Sequence, residues 1–307
     1  MTQITNTVLM IRPASFRMNE ETAVNNYFQK KTEELHEEVN QKAQAEFDRF
    51  VEKLRSKGIR VVVVQDDPAN DTPDALFPNN WVSFHEGGRA ALYPMFAANR
   101  RRERRQDVFD QLKAEGVEIT TINDYSPSEN DNVFLEGTGS LILDREHKKA
   151  YCALSPRADK KLLEQFCNDF NYTPIAFTAN QTVEGKRMAI YHTNVMMCIG
   201  ENFSVICLES IDDDIERSTV VDNLTRDGKE IIAISEEQMH QFAGNMLQVK
   251  SEDGQPYLVM SKTAHDSLIP EQLEAIGKYC PILSADLNTI EVHGGGSARC
   301  MLAEVFH

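Results

Sequence analysis

The 307-residue sequence contains no run of 18 apolar residues, so no membrane span is expected. Its first residues, Met1 to Asn6, have neither the basic opening nor the apolar stretch of a secretory signal, and a cytoplasmic location is the expectation. Positive charge is in deficit: 32 lysines and arginines stand against 48 acidic residues, a net charge of −16. That balance disfavours a phosphate-backbone partner, so neither nucleic acid nor a membrane is an expected partner. The one basic cluster, Arg100 to Arg105, carries Glu103 and reads as a solvated helix face. The six cysteines include no CxxC pair, which leaves neither a zinc site nor a redox motif; no metal and no cofactor are expected, and the thiols are taken as free. Nor does a GxGxxG follow the first apolar run, which argues against a doubly wound dinucleotide-binding sheet.

What is there is 41% hydrophobic and 26% charged, enough for one large α/β core. No linker or composition shift divides the chain, so residues 1–307 are expected to form a single domain, with a homo-oligomer left open. The pattern alternates. A strand at 7–12 precedes a helix over 20–57, ended by Gly58, and a β-branched strand at 59–64. A hairpin over 81–94, a helix at 98–115 and a strand at 117–122 follow. Strands near 133–143 and 149–154 lead to a helix at 157–170 and a strand at 174–178. Strands 188–199 and 203–208, helix 211–226 and strand 230–234 repeat the order. Strands 246–250 and 256–260, a helix at 270–279, and strands around 281–284, 289–293 and 298–306 complete it. These are five ββαβ units of roughly 60 residues, which predicts an α/β pseudo-symmetric five-bladed propeller with strand ends meeting at a central cavity.

Four stretches carry chemistry. Three consecutive glycines, Gly294 to Gly296, strip the backbone of Cβ atoms just before Arg299 and Cys300. A guanidinium beside a thiol favours the nucleophilic thiolate, so Cys300 is the candidate nucleophile; a structural cysteine after a flexible turn is the plainer alternative. In the stretch from Asp74 to Trp81, Asn79 and Asn80 offer donors and acceptors to a planar neutral ligand. Glu136 follows three apolar residues and precedes a glycine-rich turn, and a carboxylate so placed needs a cation, an imidazole or a donor-rich ligand. His192 and Asn194 stand two apart in an expected strand, which would turn both to one side. Cysteine, histidine and an orienting carboxylate are the parts of nucleophilic catalysis.

The EGTG turn at 136–139, the HxN pair at 192–194 and the GGGxxxC terminus at 294–300 resemble the guanidino-group-modifying superfamily, the penteins, and most of all its bacterial citrulline-utilisation, amidinotransferase-like hydrolases. The resemblance runs from Arg12 to Cys300 and implies the same five-bladed ββαβ ring. It implies that Cys300 attacks a guanidino or ureido carbon, that His192 is the acid and base, and that Glu136 holds His192. Asn79 or Asn80 and Asn194 would contact the substrate's planar group, and Arg157 or Arg299 its α-carboxylate. Deiminases place aspartates where this chain has amides. An ion pair in a dry site strongly favours a cation, so fewer anions favour a neutral ureido group. The expected substrate is therefore a small molecule, citrulline, cleaved to ornithine, carbon dioxide and ammonia. Arginine deiminase and amidinotransferase are the alternatives, and a non-catalytic propeller scaffold is the rival outside catalysis.

Overall fold

The computed structural model describes residues 2–306. Its recurrent unit is a three-stranded sheet whose middle strand runs antiparallel to the strand before it and parallel to the strand after it. A parallel neighbour needs a crossover, and a helix supplies it each time. One sheet joins Val82–His85, Arg89–Leu92 and Thr121–Asp124, with helix Gln106–Ala114 between the last two. The next joins Ile142–Asp144, Lys149–Ala153 and Thr173–Phe177 across helix Lys160–Phe170. Met197–Ile199, Phe203–Ile206 and Glu230–Ala233 follow, with helix Asp214–Arg226, and then Leu247–Lys250, Pro256–Ser261 and Ile282–Ala285, with helix Pro270–Gly277. The remaining sheet is closed by the chain's two ends: Ala303–Val305 pairs antiparallel with Thr7–Arg12, which runs parallel to Arg60–Gln65 after helix His36–Arg55.

This is a mixed α/β fold of small sheets. The five predicted ββαβ units are present, but among the described residues no strand of one sheet is hydrogen-bonded to another sheet and none closes on itself. A two-stranded hairpin, Asn180–Val183 with Lys186–Ala189, stands outside the pattern.

Several predicted boundaries move. The helix expected over 20–57 is two, Glu20–Ala23 and His36–Arg55, joined by an irregular segment. The longer one buries Val39, Ala43, Phe47, Phe50 and Leu54, and the same apolar cluster holds Ala298, Cys300 and Met301. The helix expected over 98–115 begins as a 3-10 turn, Asn99–Glu103, and becomes α-helical only from Gln106. Arg100 is not on a solvated face: it is 2% exposed and donates to both oxygens of Glu103, at 2.8 and 2.9 Å. The strand expected over 289–293 is a helix, Asn288–Gly294, because a short apolar run does not by itself distinguish the two. Glu46 of the long helix accepts from the backbone N–H groups of Thr289 and Ile290 and so fixes the start of that helix.

Candidate active site

Short helical turns precede the first strand of several units: Pro78–Asn80, Gly137–Ser140, Thr193–Val195 and Ala298–Met301. Two of these turns interrupt the predicted strands at 133–143 and 188–199, of which Ile142–Asp144, the end of Lys186–Ala189 and Met197–Ile199 remain strand. His192 and Asn194 do share a destination, but not by strand alternation; His192 is extended and Asn194 lies in the turn after it.

Cys300 is buried, and its sulfur accepts hydrogen bonds from two amide groups, Asn194 Nδ2 at 3.3 Å and Asn245 Nδ2 at 3.2 Å. Asn245 also donates to the Asn194 carbonyl and accepts from the Arg299 backbone N–H, which locks both amides to the cysteine turn. Donors aimed at one point stabilise negative charge collecting there. His192 Nε2 lies 2.6 Å from Glu136 Oε2. Burial lowers the His192 pKa to about 4, against the opposing pull of Glu136. Burial alone would raise Glu136, but Arg157 and the His192 hydrogen bond bring it down to about 2. A neutral imidazole thus donates Nε2–H to an ionised carboxylate. The other Glu136 oxygen accepts from the Phe96 N–H at 2.8 Å.

Cys300, His192, Asn80 and Arg157 line one cavity with Asp74 and Arg100. It is nearly filled, with about 10 Å³ of free space, roughly that of one water. Larger cavities lie outside this constellation. Residues 19–30 cover it: Asn26 Nδ2 donates to the Gly294 carbonyl, Lys30 N to the Val292 carbonyl, and Arg157 donates to the Thr22 carbonyl and Asn25 Oδ1. Asn80 Oδ1 accepts from Arg100, while Asn79 lies behind, accepting from Asn80 and outside the cavity lining. Arg299 is turned away; its guanidinium donates to the Leu302 carbonyl and to Glu304. It therefore neither charges the cysteine's surroundings nor reaches the cavity, contrary to expectation, because Glu304 two strand positions beyond Leu302 offers a closer anion.

Asp74, Arg100 and Asn245 were missed from sequence. Asp74 is buried, takes Asn19 Nδ2 at 2.8 Å on one oxygen, and leaves Oδ1 without a hydrogen-bond partner among the described residues. Burial raises its pKa against the pull of Arg100. The signal for Asn245 was positional: it stands two residues before strand Leu247–Lys250, as Asn80 does before Val82–His85. Packing against these turns also explains Gly139. A Cβ there would come within 2.4 Å of Asn80 Nδ2 and 2.9 Å of His192 Nδ1. Gly139→Ala is expected to fold but lose at least about tenfold in kcat by displacing the imidazole; wild-type kinetics in a folded variant would refute the packing account.

A family model described as N,N-dimethylarginine dimethylhydrolase, eukaryotic, matches residues 12–307. None of the curated proteins compared matches the chain. Among solved structures, the fold is similar to that of ArgZ, an arginine dihydrolase from the ornithine-ammonia cycle in cyanobacteria, with a TM-score of 0.75 at 14% identity; the match covers 98% of this chain and 40% of that one. The chain thus spans about two-fifths of ArgZ. The N-terminal domain of ArgZ with substrate bound is matched over 98% of both chains, with a TM-score of 0.73 at 14% identity. A dimethylarginine dimethylaminohydrolase carrying an adduct with S-methyl-L-thiocitrulline is similar at a TM-score of 0.63 and 12% identity, over 98% of this chain and 99% of that one.

Proposed function

The chain belongs to the N,N-dimethylarginine dimethylhydrolase family, within the guanidino-group-modifying pentein superfamily, and from that premise we propose that it hydrolyses a C–N bond of a linear ureido or guanidino amino acid, with citrulline the substrate. Cys300 attacks the ureido carbon while neutral His192 takes the thiol proton. His192 returns that proton to the departing δ-nitrogen, which leaves as the amine of ornithine. Water, deprotonated by His192, then attacks the S-carbamoyl group; the thiol is released and the carbamate breaks down to carbon dioxide and ammonia. One citrulline and one water are consumed for one ornithine, one carbon dioxide and one ammonia. No cofactor enters this balance.

The observation that carries the ureido reading is the pair of amide donors at Cys300 Sγ. A ureido oxygen can accept from them, and charge grows on that oxygen in the tetrahedral intermediate. The terminal nitrogens of a guanidinium bring only donors to the same spot. Charge supports a neutral group as well: around the cavity Asp74 and Glu136 stand against Arg100 and Arg157. The site is not poor in anions, as the sequence suggested, but its charges balance. Asp74 favours the second reading, arginine, because its buried Oδ1 would pair with a guanidinium N–H. Arg157, Asn80 and Asn194 are the substrate contacts in either case. Purified protein incubated with citrulline, arginine and N,N-dimethylarginine, with ornithine and citrulline quantified, decides. Ornithine from citrulline is the expected result; turnover of none of the three removes the hydrolase, and leaves the scaffold.

The five units are read as one domain arranged about a central axis, the ring that would bring the turns together. Support comes from the neighbours in space: Ala303–Val305 lies beside Val82–His85, and Ile142–Asp144 beside Met197–Ile199. The His192 and Glu136 values set a pH dependence. With His192 at about 4, the acid limb of kcat/KM is expected near pH 4, where the base is lost, and a limb centred on the ordinary imidazole value would contradict the assignment. Stability follows the same sign. Both folded values lie below the unfolded ones, so the stability is present above about pH 6.5 for His192 and 4.5 for Glu136, and is lost as pH falls toward about 4 and 2.

A further inference from the structure

We propose that the cavity bounded by residues 27–30, outside the Cys300 site, binds a free α-amino acid and thereby steadies the cover over Cys300. The inference rests on the ureido amino acid reading only for the choice of probe. The cavity has a volume of about 440 Å³, within the range of about 300–1,000 Å³ typical of small-ligand sites. Phe28 partitions it from the catalytic space. The Phe28 ring stands 5.2 Å from Phe242 and 5.7 Å from His240, which line this cavity, and edge-on at 6.0 Å to Tyr191, which lines the other.

The wall is chemically suited to a zwitterion. Lys30 and Glu184 both line it, and neither has an ion-pair partner among the described residues. A carboxylate and an ammonium on one small molecule satisfy both, and the aromatic wall of Phe28 and Phe242 takes an aliphatic stem. Gln181, 1% exposed, also lines the cavity, and its Nε2 has no hydrogen-bond partner among the described residues, a donor that a ligand acceptor would use. Phe242 is held at φ 62°, a left-handed conformation that a bulky residue rarely adopts. Such strain marks a wall whose shape is imposed by its surroundings.

The floor reaches the catalytic loop. Glu291 lines the cavity, and its two oxygens accept from Thr263 Oγ1 and Ser297 Oγ, both at 2.6 Å. Ser297 follows the triple glycine and precedes Cys300 by three residues, and its carbonyl accepts from the Cys300 N–H. A molecule touching Phe28 and Lys30 on one side and the Asn288–Gly294 helix on the other therefore binds only while the cover is docked. By linkage it favours the closed site as much as closure favours it.

Equilibrium dialysis with labelled L-ornithine tests this. The wild type is expected to bind one more equivalent of ornithine per chain than Lys30→Glu or Glu184→Lys, whatever the Cys300 site takes up, with kcat/KM for citrulline in both variants within about twofold of wild type in the absence of added ornithine. A wild type that binds no more ornithine than either charge-reversal variant overturns the proposal. Failure to hydrolyse citrulline would instead overturn the reaction, and the dialysis count would still be read on its own.

Discussion

Cys300→Ser is expected to lower kcat on citrulline by at least about a thousandfold while leaving the protein folded, with its Tm close to wild type. A serine oxygen is a far weaker nucleophile at neutral pH than sulfur, and removing the nucleophile removes the covalent route altogether. The substitution is nearly isosteric, so the two amide donors from Asn194 and Asn245 keep an acceptor and the glycine loop keeps its packing on Phe77. Turnover and thermal unfolding measured on the same preparation separate chemistry from folding. Thiol alkylation gives an independent readout. The other five cysteines are buried, and burial pushes their thiols up: Cys280 to about 11, Cys167 and Cys198 to about 12, and Cys152 and Cys207 above the usual range. Slow labelling is expected at Cys300, whose sulfur takes two amide donors and lines the cavity, and should vanish in the serine variant. A serine variant with full activity would end the proposed mechanism.

Glu136→Gln has the second-largest expected effect, and it acts through other groups. Its carboxylate orients His192 at 2.6 Å and faces Arg157 at 3.5 Å, and all three side chains are at most 2% exposed. Neutralising it leaves the Arg157 guanidinium without its buried counter-charge, a loss of about 3–5 kcal/mol when one member of a buried pair is removed. The imidazole also loses the acceptor that fixes its tautomer. Misplaced general acid–base catalysis costs about 10²–10⁴-fold in rate. Denaturant unfolding and kcat are thus expected to fall together, and the acid limb to move below pH 4 because the carboxylate no longer helps hold a proton on His192. A variant that unfolds at the wild-type midpoint with wild-type kcat would show that Glu136 is not buried against these partners.

The two ends of the chain meet in one sheet, Thr7 opposite Val305, a pairing that no local signal marks. The β-branched run at 59–64, the glycine-broken hairpin at 81–94 and the Asp253-Gly254 turn are local signals, and each stands where expected. The turns that carry the site were less legible. Glu136 and His192 sit in short apolar stretches that read as strand, yet the chain turns there, since buried helical turns and buried strands share the same short hydrophobic pattern. Arg100 illustrates the converse. In a cluster of five arginines broken by Glu103 it looks solvated, and only its position opposite Glu103, Asp74 and Asn80 draws it inside.

The order of residues alone determined the five-fold recurrence of the ββαβ unit, the choice of Cys300, His192 and Glu136, and the family to which they point. The recurrence follows from periodicity and the three residues from side-chain types whose chemistry is intrinsic, while the family came from the resemblance of the EGTG, HxN and GGGxxxC motifs. Tertiary structure decided which neighbours act: that Asn245 joins Asn194 at the sulfur, that Asp74 and Arg100 enter the cavity, and that Arg299 leaves it for Glu304. A side chain's partners lie up to hundreds of residues away along the chain, and the charge or donor that satisfies it in a dry interior is set by packing rather than by adjacency.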